Sequence, residues 1–166
     1  GQYLSVGAVV RPVPGAHPDI LRPESIHRFL TLTHAQYFDR YGEAFGEAIK
    51  AVFTDEPSPG GPLYPWTPRF PDEFRRDHGY DLLPHLVHLA ADLDERSAGV
   101  RHHYRLTQHR LQREHYVEQM ARWCEDHHIL LTGHLTRTEW LSLVAAWWPN
   151  ELRCYRPMHI PACAPL

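Results

Sequence analysis

The chain has 166 residues, 43% of them hydrophobic, 22% charged and 11% aromatic, which supports one modest hydrophobic core and excludes a disordered tail. Lysine plus arginine (17) against aspartate plus glutamate (20) leaves a net charge of −3, so no basic field is available to hold a nucleic-acid backbone. No apolar stretch approaches the ~20 residues a bilayer span requires, and neither nucleic acid nor membrane is expected as a partner. The chain begins Gly1-Gln2-Tyr3, with no initiator methionine and no basic-then-apolar leader, and is expected to be an internal piece of a longer polypeptide.

Residues 1–10 are rich in β-formers (Tyr3, Val6, Val9, Val10) and read as a strand, followed by a Pro/Gly loop over 11–18. Pro23 suits the first turn of a helix, and Ile26, Phe29, Leu30, Thr33, Tyr37 and Tyr41 recur at spacings of three and four along one helical face. Gly42 and Gly46 loosen or stop it. Residues 49–54 are a short β-prone run, halted by Asp55-Glu56-Pro57 and the loop that follows. Strand, helix and strand in this order pair naturally in parallel.

Beyond an aromatic, proline-rich stretch over 65–71, a short helix is predicted for 71–78, closed by Gly79, and a second helical segment for 80–93, entered through Pro84. Residues 97–127 form the longest periodic stretch, with Val100, Tyr104, Leu111, Val117, Met120 and Cys124 on one stripe. Residues 129–132 repeat the buried-strand pattern and stop at Gly133-His134. Residues 152–160 read as a further strand, weakened by Arg153, Arg156 and Pro157. The alternation predicts an α/β fold with a parallel sheet and covering helices.

Three places could carry chemistry. If 49–54 is a parallel strand, Asp55 and Glu56 emerge at its carboxyl end, the edge on which α/β sheets and barrels place ligands and catalysis, where a carboxyl group can protonate a leaving oxygen. The competing reading makes Asp55 a turn residue and Glu56 a solvated loop residue. Gly133-His134 ends the 129–132 run in the same way. There a histidine could hydrogen-bond a sugar hydroxyl or orient a carboxylate, or be a satisfied structural residue, and the glycine permits close approach of a ligand or a kink. Glu139 is the nearest downstream carboxylate, either the second group of an acid/base pair or a surface residue. Third, Trp66, held between prolines in Tyr64-Pro65-Trp66-Thr67-Pro68, offers an indole face for a pyranose or else covers the core. Trp140, Trp147 and Trp148 could do the same, but Leu143-Val144-Ala145-Ala146 beside them indicates packing.

The 14 histidines invite a metal reading. However, His102, His103, His109 and His115 lack both a His-Glu-x-x-His motif and the i, i+4 pairing that chelates on a helix, so solvated histidines are the simpler account and no metal ligands are assigned. Cys124, Cys154 and Cys163 are odd in number and contain no Cys-x-x-Cys, so they outline neither a disulfide framework nor a zinc knuckle. No dinucleotide fingerprint, phosphate-binding loop or Gly-x-Ser-x-Gly elbow occurs, which leaves dinucleotide, nucleotide and serine-hydrolase chemistry without support.

Taken together, Arg22-Pro23-Glu24-Ser25, the helix carrying Thr33-His34 and Tyr37, Val52-Phe53-Thr54-Asp55-Glu56-Pro57-Ser58, Pro65-Trp66-Thr67-Pro68, Gly79-Tyr80-Asp81-Leu82-Leu83-Pro84 and Thr132-Gly133-His134-Leu135 resemble large bacterial glycoside hydrolases like the family 106 α-L-rhamnosidases. The resemblance runs from about Leu21 to Leu135, and loosely to Met158-His159-Ile160-Pro161. It implies that residues 1–166 are a single partial catalytic domain, part of a (β/α)8 TIM-type barrel, within a full-length protein expected to be secreted or periplasmic. It further implies hydrolysis of a terminal sugar such as α-L-rhamnose from a poly- or oligosaccharide, with inversion, and brings a bound calcium ion into the expectation.

By the same resemblance Glu56, a glutamate before proline at a strand end, is the proton donor, and Asp55, Trp66 and His134 contact the sugar. The second catalytic carboxylate is either Glu139 or a residue elsewhere in the polypeptide. Arg22 and the Trp147-Trp148-Pro149 region depart from the family pattern. The expected partners are the carbohydrate and the rest of the same polypeptide. Two rivals stand beside this reading: a non-catalytic or degenerate carbohydrate-binding module using Trp66 and His134, and a histidine-rich metal-binding protein.

Overall fold

A computed structural model describes residues 18–59, 64–136 and 141–162. The strand expected over residues 1–10 and Glu139 lie outside the described residues. Pro23 occupies the first turn of α1 (Pro23–Leu32), where its missing N–H leaves no bond unmade, and Ile26 and Leu30 bury one face. The helical face predicted to continue to Tyr41 is interrupted at Thr33. Its backbone leaves the helical region (φ −120°, ψ −77°), its hydroxyl donates to the Phe29 carbonyl at 2.7 Å, and α2 (His34–Tyr41) begins afresh. None of the α2 side chains is fully buried, so it forms an outer layer.

From there a 3-10 turn (Gly42–Ala44) leads toward β1 (Ala51–Asp55). Helix α3 (Phe70–His78) starts one residue before the predicted 71–78 and ends where predicted: Pro71 stands in its first turn and Gly79, at φ +76°, donates its N–H to the Arg75 carbonyl at 2.8 Å. The segment entered through Pro84 divides into a 3-10 turn (Leu83–His85) and the single-turn α4 (Val87–Ala90).

The long periodic stretch is one helical run in three parts: α5 (Arg96–Leu111), a π-helical segment (Gln112–Val117) and α6 (Glu118–Asp126). Two cores meet along it. Val100, Tyr104 and Leu111 pack with Leu21, Phe70, Phe74, Leu82 and Leu89, whereas Val117, Met120, Ala121 and Cys124 pack with Ile26, Leu30, Ile129, Leu131 and Trp148. The handover falls at the π segment, where the wider turn re-aims the buried face from one core to the other.

Strand β2 (Leu130–His134) pairs in parallel with β1, and β3 (Ile160–Pro161) in parallel with β2, giving the order β1-β2-β3. Helices α3 to α6 connect the first two strands, and α7 (Leu141–Trp147) and α8 (Glu151–Tyr155) connect the second two. Among the described residues the architecture is therefore a small parallel sheet flanked by helices, and these three strands do not close a ring. Residues 152–160 do not form the single strand predicted for them. Their first half is α8, with Glu151 in the first turn and Cys154 fully buried, and only Ile160 and Pro161 join the sheet. Pro157, which offers no N–H to a ladder, separates the two.

Burial alternates along both longer strands. Val52, Thr54, Leu131 and Gly133 belong to the face under the helices, whereas Phe53, Asp55, Leu130, Thr132 and His134 belong to the other face, which the described residues leave open. Phe53 is 57% exposed there and Ile160 48%.

Candidate active site

Because all three strands are parallel, their carboxyl ends share one edge, and the last rung of the β1–β2 ladder pairs Asp55 with His134. Both side chains stand on the open face. His134 Nε2 lies 3.2 Å from Asp55 Oδ1, with the histidine side chain 14% exposed and the carboxylate 78%. Nε2 is therefore the ring nitrogen turned toward the carboxylate. Nδ1 is buried without a hydrogen-bond partner among the described residues. Phe53, two residues before Asp55, meets the His134 ring edge-on at 5.6 Å between centroids. The imidazole is thus held by a carboxylate at one nitrogen and by an aromatic ring beside it.

Gly133 sets how close the strands come just before this rung. Its φ is +135°, and a Cβ there would stand 2.1 Å from the Thr54 carbonyl oxygen and 2.7 Å from the Thr54 nitrogen and Cγ2. The close approach expected of this glycine is made to the neighbouring strand. Thr54 points to the helical face, and its Oγ1 is 2.5 Å from Tyr116 OH on the π segment. Burial raises the Tyr116 phenol above its usual range, so the pair is two neutral hydroxyls.

Glu56 follows Asp55 with its side chain exposed and its backbone at φ +44°. A left-handed conformation is uncommon for a side-chain-bearing residue, and the proline after it disfavours helical conformations further. The next carbonyl, that of Pro57, accepts a hydrogen bond from Thr136 Oγ1 at 2.8 Å. Glu56 is therefore held from both sides, at Asp55 by the strand pairing opposite His134 and at Pro57 by the hydroxyl of Thr136 in the loop after β2.

A hollow of about 220 Å³ opens beside Asp55, lined by Ile20, Phe29, His34, Ser58 and Tyr116 among others. His34 is bonded at Nδ1 to Thr33 Oγ1 at 2.8 Å, lies edge-on to Phe29 and Trp123, and is held below its ordinary value of 6.5 by burial, which favours the neutral ring. The hollow combines an apolar floor with hydroxyl, imidazole and carboxylate groups, a mixture suited to a small polar molecule with an apolar face.

Of the residues singled out from sequence, Asp55 and His134 are in contact and Glu56 is adjacent to them. Trp66 is elsewhere: it stacks on Phe70 at 5.3 Å with 23° between planes, packs on the second core and does not line the hollow. Trp148 is fully buried in the first core. Thr136 and Tyr116 carry no motif, and their parts in the site come from the register of β2 and the phase of a long helix. Among the described residues no three His, Cys, Asp or Glu side chains converge as a ligand set for a metal ion.

No family model matches the chain, and no curated protein matches it. The chain is similar to part of a solved rhamnosidase. That structure, the rhamnosidase from Novosphingobium sp. PP1Y, superposes with a TM-score of 0.57 at 26% sequence identity over 69% of this chain. The matched region is 11% of the rhamnosidase, so the chain spans a small part of that enzyme's length. The likeness supports a relationship of glycoside-hydrolase type.

Proposed function

We propose that the chain is part of the catalytic (β/α)8 barrel of a glycoside hydrolase that removes a terminal sugar, with α-L-rhamnose as the first candidate, and that Glu56 is its general acid. One observation carries the reading: a carboxylate held in a rare backbone conformation at the shared carboxyl edge of parallel strands, in a chain similar to a rhamnosidase. The strand order supports it, because sequential neighbours running in parallel with helical connections are the repeating unit of such a barrel. The rest of the polypeptide would supply the remaining strands, and the open sheet face with Phe53, Thr132 and His134 would be barrel interior.

In this mechanism the Glu56 carboxyl protonates the glycosidic oxygen as the bond from that oxygen to the anomeric carbon breaks. Positive charge develops on the sugar, a base removes a proton from water, and the water oxygen bonds to the anomeric carbon from the opposite face. The base is Glu139 or a carboxylate elsewhere in the polypeptide, and inversion requires it about 6.5–9.5 Å from Glu56 to leave room for that water. Asp55 and His134 would hold sugar hydroxyls, the carboxylate as acceptor and the ring through its nitrogens. Trp66 as a further sugar contact would require the face of its indole not covered by Phe70.

The test is Glu56→Gln in the full-length enzyme. Turnover of an alkyl α-L-rhamnoside, whose leaving group needs a proton, is expected to fall at least ~10²-fold. Near-normal turnover would refute the assignment. Retained sugar binding with no turnover in the parent protein would support the carbohydrate-binding module.

A further inference from the structure

We propose that Thr136 is a positioning residue for Glu56, an inference that rests on the general-acid reading above. Glu56 holds φ +44° in front of a proline, a conformation that persists only where the surroundings over-determine it. On its amino side the chain is fixed by strand pairing, since Asp55 closes the β1 ladder opposite His134. On its carboxyl side the Pro57 carbonyl is held by Thr136 Oγ1 at 2.8 Å.

Thr136 is itself well seated. It is 7% exposed, and the residue before it, Leu135, is buried and donates its N–H to Tyr155 OH at 3.2 Å. The hydroxyl thus joins the loop after β1 to the loop after β2, and it holds the Pro57–Ser58 peptide, one peptide unit beyond the one that follows the proposed acid. Without it, the backbone at Glu56 can relax toward an extended conformation, which redirects the side chain while leaving its chemistry unchanged. Thr136 touches neither substrate nor reacting atoms in this scheme.

The experiment compares Thr136→Val, which keeps the shape and removes the hydroxyl, Thr136→Ala as a second hydroxyl-free variant, and Thr136→Ser, which restores the hydroxyl. All are made in the full-length enzyme, with Glu56→Gln alongside. The probes are an alkyl α-L-rhamnoside and a dinitrophenyl α-L-rhamnoside, whose phenolate departs without protonation. Loss of the hydroxyl is expected to lower kcat for the alkyl substrate about tenfold, the scale of one hydrogen bond, with the dinitrophenyl substrate little changed and Ser restoring the rate. An equal fall with both substrates, or no fall, overturns the positioning role. Failure of Glu56→Gln to discriminate the substrates would refute the general-acid reading separately. Hydrogen exchange at the Glu56 and Ser58 amides then decides the inference without activity: faster exchange in Val and Ala, reversed in Ser, supports it, and unchanged exchange overturns it.

Discussion

Gly133→Ala should be among the most damaging single-methyl additions in the chain, because two independent costs coincide at that position. The backbone sits at φ +135°, where an L-residue carries conformational strain of ~1–3 kcal/mol. The added Cβ would also meet the Thr54 carbonyl oxygen at 2.1 Å and the Thr54 nitrogen at 2.7 Å, atoms of a paired strand that cannot rotate aside as a side chain can. Overpacking of that kind adds ~1–3 kcal/mol, for a total of ~2–6 kcal/mol. Gly79→Ala is the internal control: φ is +76°, but among the described residues nothing lies within 4 Å of its Cβ position, so only the conformational cost of roughly 1–2 kcal/mol applies. Urea unfolding followed by tryptophan fluorescence compares the two, with equal slopes licensing the comparison. A Gly133→Ala midpoint no lower than that of Gly79→Ala would show that β1 and β2 do not approach as described, and would remove the reason why Asp55 and His134 meet.

Two further outcomes follow from buried groups. Thr54 Oγ1 and Tyr116 OH pair in the interior. Thr54→Val and Tyr116→Phe should each destabilise by ~1–3 kcal/mol, yet couple in a double-mutant cycle by about 1 kcal/mol, and strict additivity would argue against the bond. His34, His78 and His109 are all held below the ordinary histidine value of 6.5, in each case first by burial, with His103 and His102 adding for His78 and Arg113 and Arg153 for His109. The unfolded chain then binds protons that the folded chain resists. The stability these groups contribute is fully present above 6.5 and is lost as pH falls toward their lower folded values. Urea midpoints should decline from about pH 7.5 to about pH 5, His109→Gln should flatten the decline, and a midpoint independent of pH would refute this account.

The elements that were legible in the sequence are those whose ends are written locally. Strands β1 and β2 are short β-prone runs with a carboxylate-proline stop and a glycine stop. Helix α3 has proline at one end and glycine at the other. Local pattern fails where tertiary contacts outvote it. Tyr37 and Tyr41 keep the three-four spacing of α1, but Thr33 bonds back to Phe29 and turns the chain, so the pattern continues on a different helix with both tyrosines more than half exposed. In residues 152–160, Cys154 is drawn into the core beside His109, and α8 is the local geometry that lets it reach.

At the site, residue types were legible but their relation was not. Asp55-Glu56 and Gly133-His134 each look like the end of a strand, and parallel pairing alone brings both to one edge. Which residue faces which depends on register, and register has no local signature here. A one-residue slip of β2 would turn His134 to the helical face, away from Asp55, and would carry Gly133 off the one position where Thr54 tolerates nothing larger. The steric demand at Gly133 therefore specifies the rung beyond it. The same register fixes where Thr136 meets Pro57. A threonine with no motif around it thereby becomes the hydroxyl bonded to the Pro57 carbonyl, one residue beyond Glu56, and only the pairing of the two strands reveals it.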